Sequence, residues 1–253
     1  MAMMHCTFAS AVLMRQCAMN VFIPERPHSD GKKGFPVLYL LHGRSDNEET
    51  YTFQGVNRLF RDRELIVVMP DGARSFYTDM VSGERYWTFV SEELPRLVSV
   101  MFPARTEREA TFAAGLSMGG YGALKLGLRH PERFSRIAAM SSVADIGWAG
   151  RPEGGMSDTE VNAIFGSRTG MLGGDNDLFH LAEGFAPDAV RPELWMRCGT
   201  EDILIAENRA FRDHLQKLGH WRLDYREGPG AHTWEYWLDV MPSLLDFLEG
   251  KVQ

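Results

Sequence analysis

An apolar run, Ala110 to Leu116, leads straight into Gly115-Leu116-Ser117-Met118-Gly119-Gly120, and a helical pattern, Met118 to Arg129, leads out of it. A strand that must become a helix within so few residues leaves the chain little freedom. The backbone at such a turn is closely approached, so the residues two before and two after the serine must lack Cβ bulk. Gly115 and Gly119 supply this. The turn projects the Ser117 hydroxyl beyond the end of the strand. It also sets the Met118 N–H at a helix N-terminus, where it can donate to an oxyanion. Ser117 therefore reads as a nucleophile.

A serine nucleophile needs a base and a group that orients the base. Among His130, His180, His214 and His232, the first closes the helix before Pro131, the second lies in a polar stretch, and the third has charged neighbours in a helical pattern. His232 sits on a loop, Gly228-Pro229-Gly230-Ala231-His232, between a strand-like run and a helix. That places it over the carboxyl edge of a sheet, and it is the expected base. The acid should end the preceding strand, Leu194–Cys198. Both Glu201 and Asp202 lie in the loop that follows. Asp202 is preferred as the orienter of His232 and Glu201 is the alternative. Either could instead cap the next helix.

A second oxyanion donor is expected from the loop after an earlier central strand. Pro36 to Leu41 is such a strand, and His42-Gly43-Arg44-Ser45 follows it. The candidate donor is the Arg44 N–H, with His42 as a loop-packing residue. Aromatic candidates for a substrate pocket are Tyr77, Tyr86 and Trp87 in the loop after Pro70-Asp71-Gly72, and Trp148, Phe165, Phe179 and Phe185 further on.

Around these motifs strands alternate with helices. Cys6–Ser10 and Gln16–Ile23 read as an antiparallel pair. Val37–Leu41, Leu65–Met69, Thr111–Leu116, Ile137–Ser141, Leu194–Cys198 and Leu223–Arg226 follow as strands. Several are continuously apolar, as central parallel strands buried on both faces must be. Helical patterns cover Tyr51–Arg61, Glu92–Phe102, Met118–Arg129, Ile205–Leu218 and Trp234–Leu248. The expected fold class is α/β, a mostly parallel, doubly wound sheet with helices on both faces, in one domain over 1–253. Residues 145–192 break the alternation and read as a small cap insertion. Within them Gly173-Gly174-Asp175-Asn176-Asp177 resembles a calcium loop only in part, with no spaced bidentate glutamate, so no metal is expected.

Taken together, the motifs resemble the esterase D-like family of α/β-hydrolases, in particular its tributyrin-esterase branch. The matching stretches are Leu40-Leu41-His42-Gly43, Pro70-Asp71-Gly72 with Ser75-Phe76-Tyr77, Glu93-Leu94-Pro95, and Gly115 through Ala123. They continue with His130-Pro131-Glu132-Arg133-Phe134, Cys198 through Asp202, and Gly230-Ala231-His232-Thr233-Trp234. The resemblance implies a serine carboxylesterase of short acyl esters that uses no metal or other cofactor. It also implies for Ser117, Asp202, His232, Arg44 and Met118 the roles given above. Relatives of this kind include S-formylglutathione hydrolases, feruloyl and acetyl-xylan esterases, and mycolyl-type acyltransferases. A thioesterase, a sugar or feruloyl ester deacylase, an acyltransferase and a non-catalytic binding protein therefore remain alternatives to the esterase.

A net charge of −7 argues against nucleic acid, which needs a basic face. No run is long enough to cross a membrane, and Phe8 to Met14 lacks the basic flank of a signal segment. Cys6, Cys17 and Cys198 are odd in number and scattered, which suits a reducing cytoplasm. The expected partner is a small-molecule ester. A homo-oligomer is neither required nor excluded.

Overall fold

In the computed structural model, which describes residues 1–251, the apolar runs Val37–Leu41 (β3), Ile66–Pro70 (β4) and Thr111–Leu116 (β5) are buried at every residue. They form the centre of an eight-stranded sheet in the order β1-β2-β4-β3-β5-β6-β7-β8. The other strands are Ala2–Ser10 (β1), Arg15–Ile23 (β2), Arg136–Met140 (β6), Glu193–Gly199 (β7) and Leu223–Gly228 (β8). Only β2 runs against the rest, since it pairs antiparallel with both β1 and β4 and the remaining pairs are parallel.

Side chains alternate across each strand, so the buried strands feed two cores. Val37, Tyr39 and Leu41 pack with Tyr121, Leu124, Phe211 and Leu215, from the helices Met118–Arg129 and Ile205–Leu218. Leu38 and Leu40 face the other way, toward Trp237, Met241, Leu244 and Leu245 of the helix Trp234–Leu248. This period of two is why both faces need a helical layer.

Two expected helices differ in outline. The stretch expected as one helix over Tyr51–Arg61 is two short ones, Thr50–Phe53 and Asn57–Phe60. Gly55 between them stands at φ +74°, outside any right-handed helix. The helix expected from Glu92 starts earlier, at Tyr86, and passes through a π-turn over Phe89–Glu93 before Leu94–Met101. Buried Glu93 accepts the Ser10 hydroxyl and the Ala11 N–H, so this helical segment holds the β1–β2 turn.

Residues 145–192 form short helices, Ile146–Ala149, Asp158–Phe165 and Leu178–Glu183, joined by turns. Their buried residues Val161, Ile164, Phe165, Met171 and Leu178 belong to the same core cluster as the elbow helix Met118–Arg129. Lys125 of that helix is fully buried and donates to Tyr77 O (3.2 Å), Thr78 Oγ1 (2.9 Å) and Asn176 Oδ1 (2.7 Å). Burial without a contacting carboxylate pulls its pKa well below the usual lysine range. The side chains of the Gly173–Asp177 stretch are committed to the protein. Asn176 holds Lys125, Asp175 pairs with Arg129, and Asp177 caps the helix that follows.

At the elbow, Ser117 lies at φ 55°, ψ −119°, a region that residues with a Cβ rarely adopt. A Cβ added to Gly119 would stand 2.0 Å from the Leu41 carbonyl oxygen, and one added to Gly115 would stand 2.4 Å from the Gly119 carbonyl. Both obstacles are backbone, so no side chain can yield. Gly119→Ala is expected to cost at least about 2 kcal/mol of stability. Urea denaturation checks this; an unchanged midpoint would refute the close approach of the helix to β3.

Candidate active site

Ser117, Asp202 and His232 come from three loops at the carboxyl edge of the sheet, after β5, β7 and β8. His232 Nε2 lies 3.0 Å from Ser117 Oγ. Its Nδ1 lies 3.0 Å from Asp202 Oδ1 and 3.1 Å from Oδ2. A carboxylate accepts, so the Nδ1 carries the proton and the Nε2 lone pair faces the serine hydroxyl. The Asp202 side chain is fully buried whereas that of His232 is 23% exposed. Burial alone would raise the Asp202 pKa. The His232 hydrogen bond and charge and the Leu204 N–H at 2.8 Å outweigh it, and the carboxyl sits below its ordinary range.

Glu201, the alternative acid, does other work. Its carboxylate accepts the Gly230 N–H at 2.5 Å, and its own N–H donates to Gly230 O at 3.0 Å. It staples the acid loop to the histidine loop and leaves the imidazole to Asp202. Three other histidines after Ser117 lie on other elements. His130 stacks on Trp87, His214 tilts against Phe179, and His220, which follows the helix Ile205–Leu218, lies beside Trp221.

His42 is buried at the end of β3. Its Nε2 accepts the Gly72 N–H at 2.8 Å and its Nδ1 donates to Gly43 O at 2.7 Å. Both nitrogens are used in the neutral form, and burial lowers the pKa. The carbonyls of this strand end are also taken: Tyr51 donates to Leu41 O and Tyr77 to His42 O, both at 2.9 Å. The loop carrying Arg44 is thus held from below. The Arg44 and Met118 N–H groups have no acceptor among the described residues, and both residues line the cavity over Ser117.

That cavity measures about 400 Å³. Phe76, Leu116, Val143 and Leu204 contribute its apolar lining, Trp148 lines it from residues 145–192, and Arg44, Asp46 and Glu153 line it as well. The Arg44 guanidinium also reaches residues 145–192, donating to Gly154 O at 3.0 Å. Of the aromatic pocket candidates only Trp148 lines this space. Tyr77 is wholly buried beneath it, its ring wedged against Gly72 and Gly122. Trp87 stacks on His130 and packs against Lys125 and Arg129. Phe165 packs on Phe76, Phe179 on Phe211, and Phe185 on Trp221, so these rings serve packing. Sequence reasoning overlooked Val143, Ile203 and Trp237 as lining residues. Val143 and Ile203 follow strands at the carboxyl edge, and that rule alone could have found them. Trp237 lies inside a helix and carries no such signal.

A family model described as putative esterase matches residues 10–248. The chain belongs to this esterase family. It is 32% identical to an acetyl esterase of Caldicellulosiruptor saccharolyticus over 98% of each chain. Among solved structures it resembles the fluorophosphonate-binding serine hydrolase FphF of Staphylococcus aureus, with 28% identity, a TM-score of 0.89 and 98% of each chain covered. It is also similar to the S-formylglutathione hydrolase FrmB of the same organism, with 28% identity and a TM-score of 0.86 over 98% of this chain and 99% of that one. The fold is that of the α/β-hydrolases, and the protein is a serine esterase, a carboxylic ester hydrolase. Among the described residues no helix is long and apolar enough to cross a membrane.

In this esterase the two kinds of aromatic residue should separate on mutation. Tyr77→Phe removes the donor to a buried carbonyl and is expected to cost about 1–3 kcal/mol of stability without changing ester preference. Trp148→Ala should raise KM for aryl esters about tenfold, equivalent to about 1.4 kcal/mol, with little effect on melting. Melting curves and steady-state kinetics on both variants check the pair. A changed ester preference in Tyr77→Phe would return that residue to the pocket.

Proposed function

We propose that Ser117 carries the acyl group, with His232 as general base and acid, Asp202 as its orienter, and the Arg44 and Met118 N–H groups as the oxyanion donors. The observation that carries this is the continuous hydrogen-bonded path Asp202–His232–Ser117, ending at the mouth of a cavity. His232 Nε2 takes the Ser117 proton as Oγ attacks the ester carbonyl. Asp202 holds the Nδ1–H tautomer and offsets the imidazolium charge. The negative oxygen of the tetrahedral intermediate then accepts from Met118 N–H, at the positive end of its helix, and from Arg44 N–H. The imidazolium returns its proton to the departing alcohol, and water enters by the same sequence in reverse.

The substrates in this reading are esters of short acyl groups. The cavity is small and Trp148 lines it, and the acetyl esterase relative points the same way. An open, mainly apolar groove shares Arg44, Ser45 and Asp46 with the cavity and runs on to Met80, Tyr86 and Ile164. It supports a tolerant alcohol side. Residues 145–192 act in this reading as a cap on a single α/β-hydrolase domain. Three unpaired cysteines favour a cytoplasmic setting.

Ser117→Ala and His232→Ala should each lower kcat by about 10⁵ or more, because the members act as a unit. Asp202→Asn should cost about 10⁴ through the wrong tautomer, and Glu201→Gln should leave kcat near wild type while lowering thermal stability. Kinetics on folded proteins decide: an active Ser117→Ala overturns the assignment, and a crippled Glu201→Gln with an active Asp202→Asn exchanges the acids. Across 4-nitrophenyl esters, kcat/KM should peak between acetyl and butyryl and fall beyond about eight carbons, where added methylenes, each worth up to about 0.8 kcal/mol when buried, find no wall. Palmitoyl esters turned over faster than butyryl would refute the small acyl site.

A further inference from the structure

The catalytic loops leave the carboxyl ends of the strands, and a second cavity lies at the amino ends. Arg108 precedes β5, Ser135 and Arg136 stand at the start of β6, Arg191 precedes β7, and His220 and Arg222 precede β8. All six line one cavity of about 380 Å³. None of them lines the cavity over Ser117.

Four guanidinium groups around one cavity stand out in a chain of net charge −7. Like charges repel, and most of what holds these in place is neutral. Arg108 donates from Nε to Pro131 O at 2.7 Å and from Nη2 to Arg191 O at 2.8 Å. Arg136 donates from Nη1 to Leu248 O at 2.9 Å. Arg191 donates from Nη2 to Ala186 O, and its guanidinium lies 5.8 Å from the centre of a Trp221 ring. Such partners fix a cation's place without cancelling its charge. Carboxylates are fewer. Glu193 is shared, with Oε1 at 3.0 Å from Arg222 Nη1 and Oε2 at 3.5 Å from Arg136 Nε. Glu109 stands 3.8 Å from Arg108 Nη1 and is 79% exposed, where water screens it. Four arginines against two glutamates leave an excess of two positive charges in the lining. Two further nitrogens, Arg191 Nε and His220 Nε2, are buried with no hydrogen-bond partner among the described residues. Folded proteins keep few such groups, because each has given up water for nothing in return.

We propose that this cavity binds a phosphate dianion, either free or as the monoester of a small molecule. A phosphate monoester carries a charge of about −1.5 to −2 at neutral pH, which matches the excess in the lining. Its oxygens suit guanidinium forks, which bind phosphate through paired hydrogen bonds and stay charged at any ordinary pH. A single carboxylate brings one charge and leaves the other half of the excess uncancelled. A nucleic-acid backbone fits less well, because these cations are gathered in one concave place and do not run along a face. The site stands apart from the catalytic reading given above and does not depend on it.

The test titrates the whole chain by calorimetry with inorganic phosphate and with phenyl phosphate, potassium chloride holding the ionic strength constant. At least one of the two is expected to bind at a single site with Kd below about 1 mM, and to raise the melting temperature. The tighter of the two names the source, a free ion or an ester. Arg222→Gln changes a side chain that is 84% exposed, so the variant should fold. It and Arg191→Gln should each weaken binding about tenfold or more, with turnover of 4-nitrophenyl butyrate unchanged. Arg44→Gln, at the catalytic cavity, should bind phosphate as wild type does. Absence of binding to wild type at about 10 mM of either probe overturns the proposal. So does undiminished binding in both Arg222→Gln and Arg191→Gln. Weakening by Arg44→Gln alone would place the anion at the catalytic cavity and overturn it as well. Should Arg191→Gln fail to fold, Arg222→Gln decides alone.

Discussion

The helix Met118–Arg129 crosses the end of β3 so closely that nothing larger than hydrogen fits at Gly119, where a Cβ would lie 2.0 Å from Leu41 O. Much else at the sheet edge depends on this contact. It holds Ser117 at its strained φ, beside the strand end from which the Arg44 loop departs. It also brings the first free N–H of the helix, that of Met118, to the cavity that the Arg44 N–H lines from the other side. The strand end is in turn held by two phenols, Tyr51 on Leu41 O and Tyr77 on His42 O. A small backbone contact and two buried hydroxyls thus set the geometry of a site whose reacting groups are mostly elsewhere.

The second determinant is a buried charge. Asp202 lies in a place where burial opposes ionisation, and His232 and the Leu204 N–H meet it there and hold its pKa down. The loops that carry Asp202 and His232 are stapled by Glu201 and Gly230 through reciprocal hydrogen bonds. Two adjacent acids therefore divide the labour. The exposed one fixes the loops and the buried one addresses the imidazole. The physical difference between them is solvent: a carboxylate shielded from water interacts more strongly with its partner.

Residues 145–192 meet the rest of the chain through polar contacts as well as apolar ones. Lys125 spans from the elbow helix to Asn176, and Arg44 spans from the loop after β3 to Gly154. Both side chains start from elements that carry the site. Phe165, Phe179 and Phe185 of residues 145–192 pack on other aromatic rings, and Trp148 lines the cavity.

Strand and helix positions were legible because they rest on local periodicity. β3, β5 and the helices Met118–Arg129, Ile205–Leu218 and Trp234–Leu248 lie where the apolar pattern and the flanking glycines put them. The order of serine, acid loop and histidine loop was legible for the same reason, since each follows a strand in a parallel sheet. The chain alone did not decide between Glu201 and Asp202, because adjacent residues share a loop and differ only in which is buried. Nor did it separate Trp148 from Tyr77 and Trp87, since an aromatic side chain packs under a site or lines it with the same local pattern. Trp237 carried no signal at all. Its proximity to His232 comes from packing the last helix against the histidine loop. The sequence by itself determined which chemistry was present and which sheet edge would hold it. The tertiary structure decided which side chains meet, because burial and contact across the sheet depend on neighbours far away in the chain.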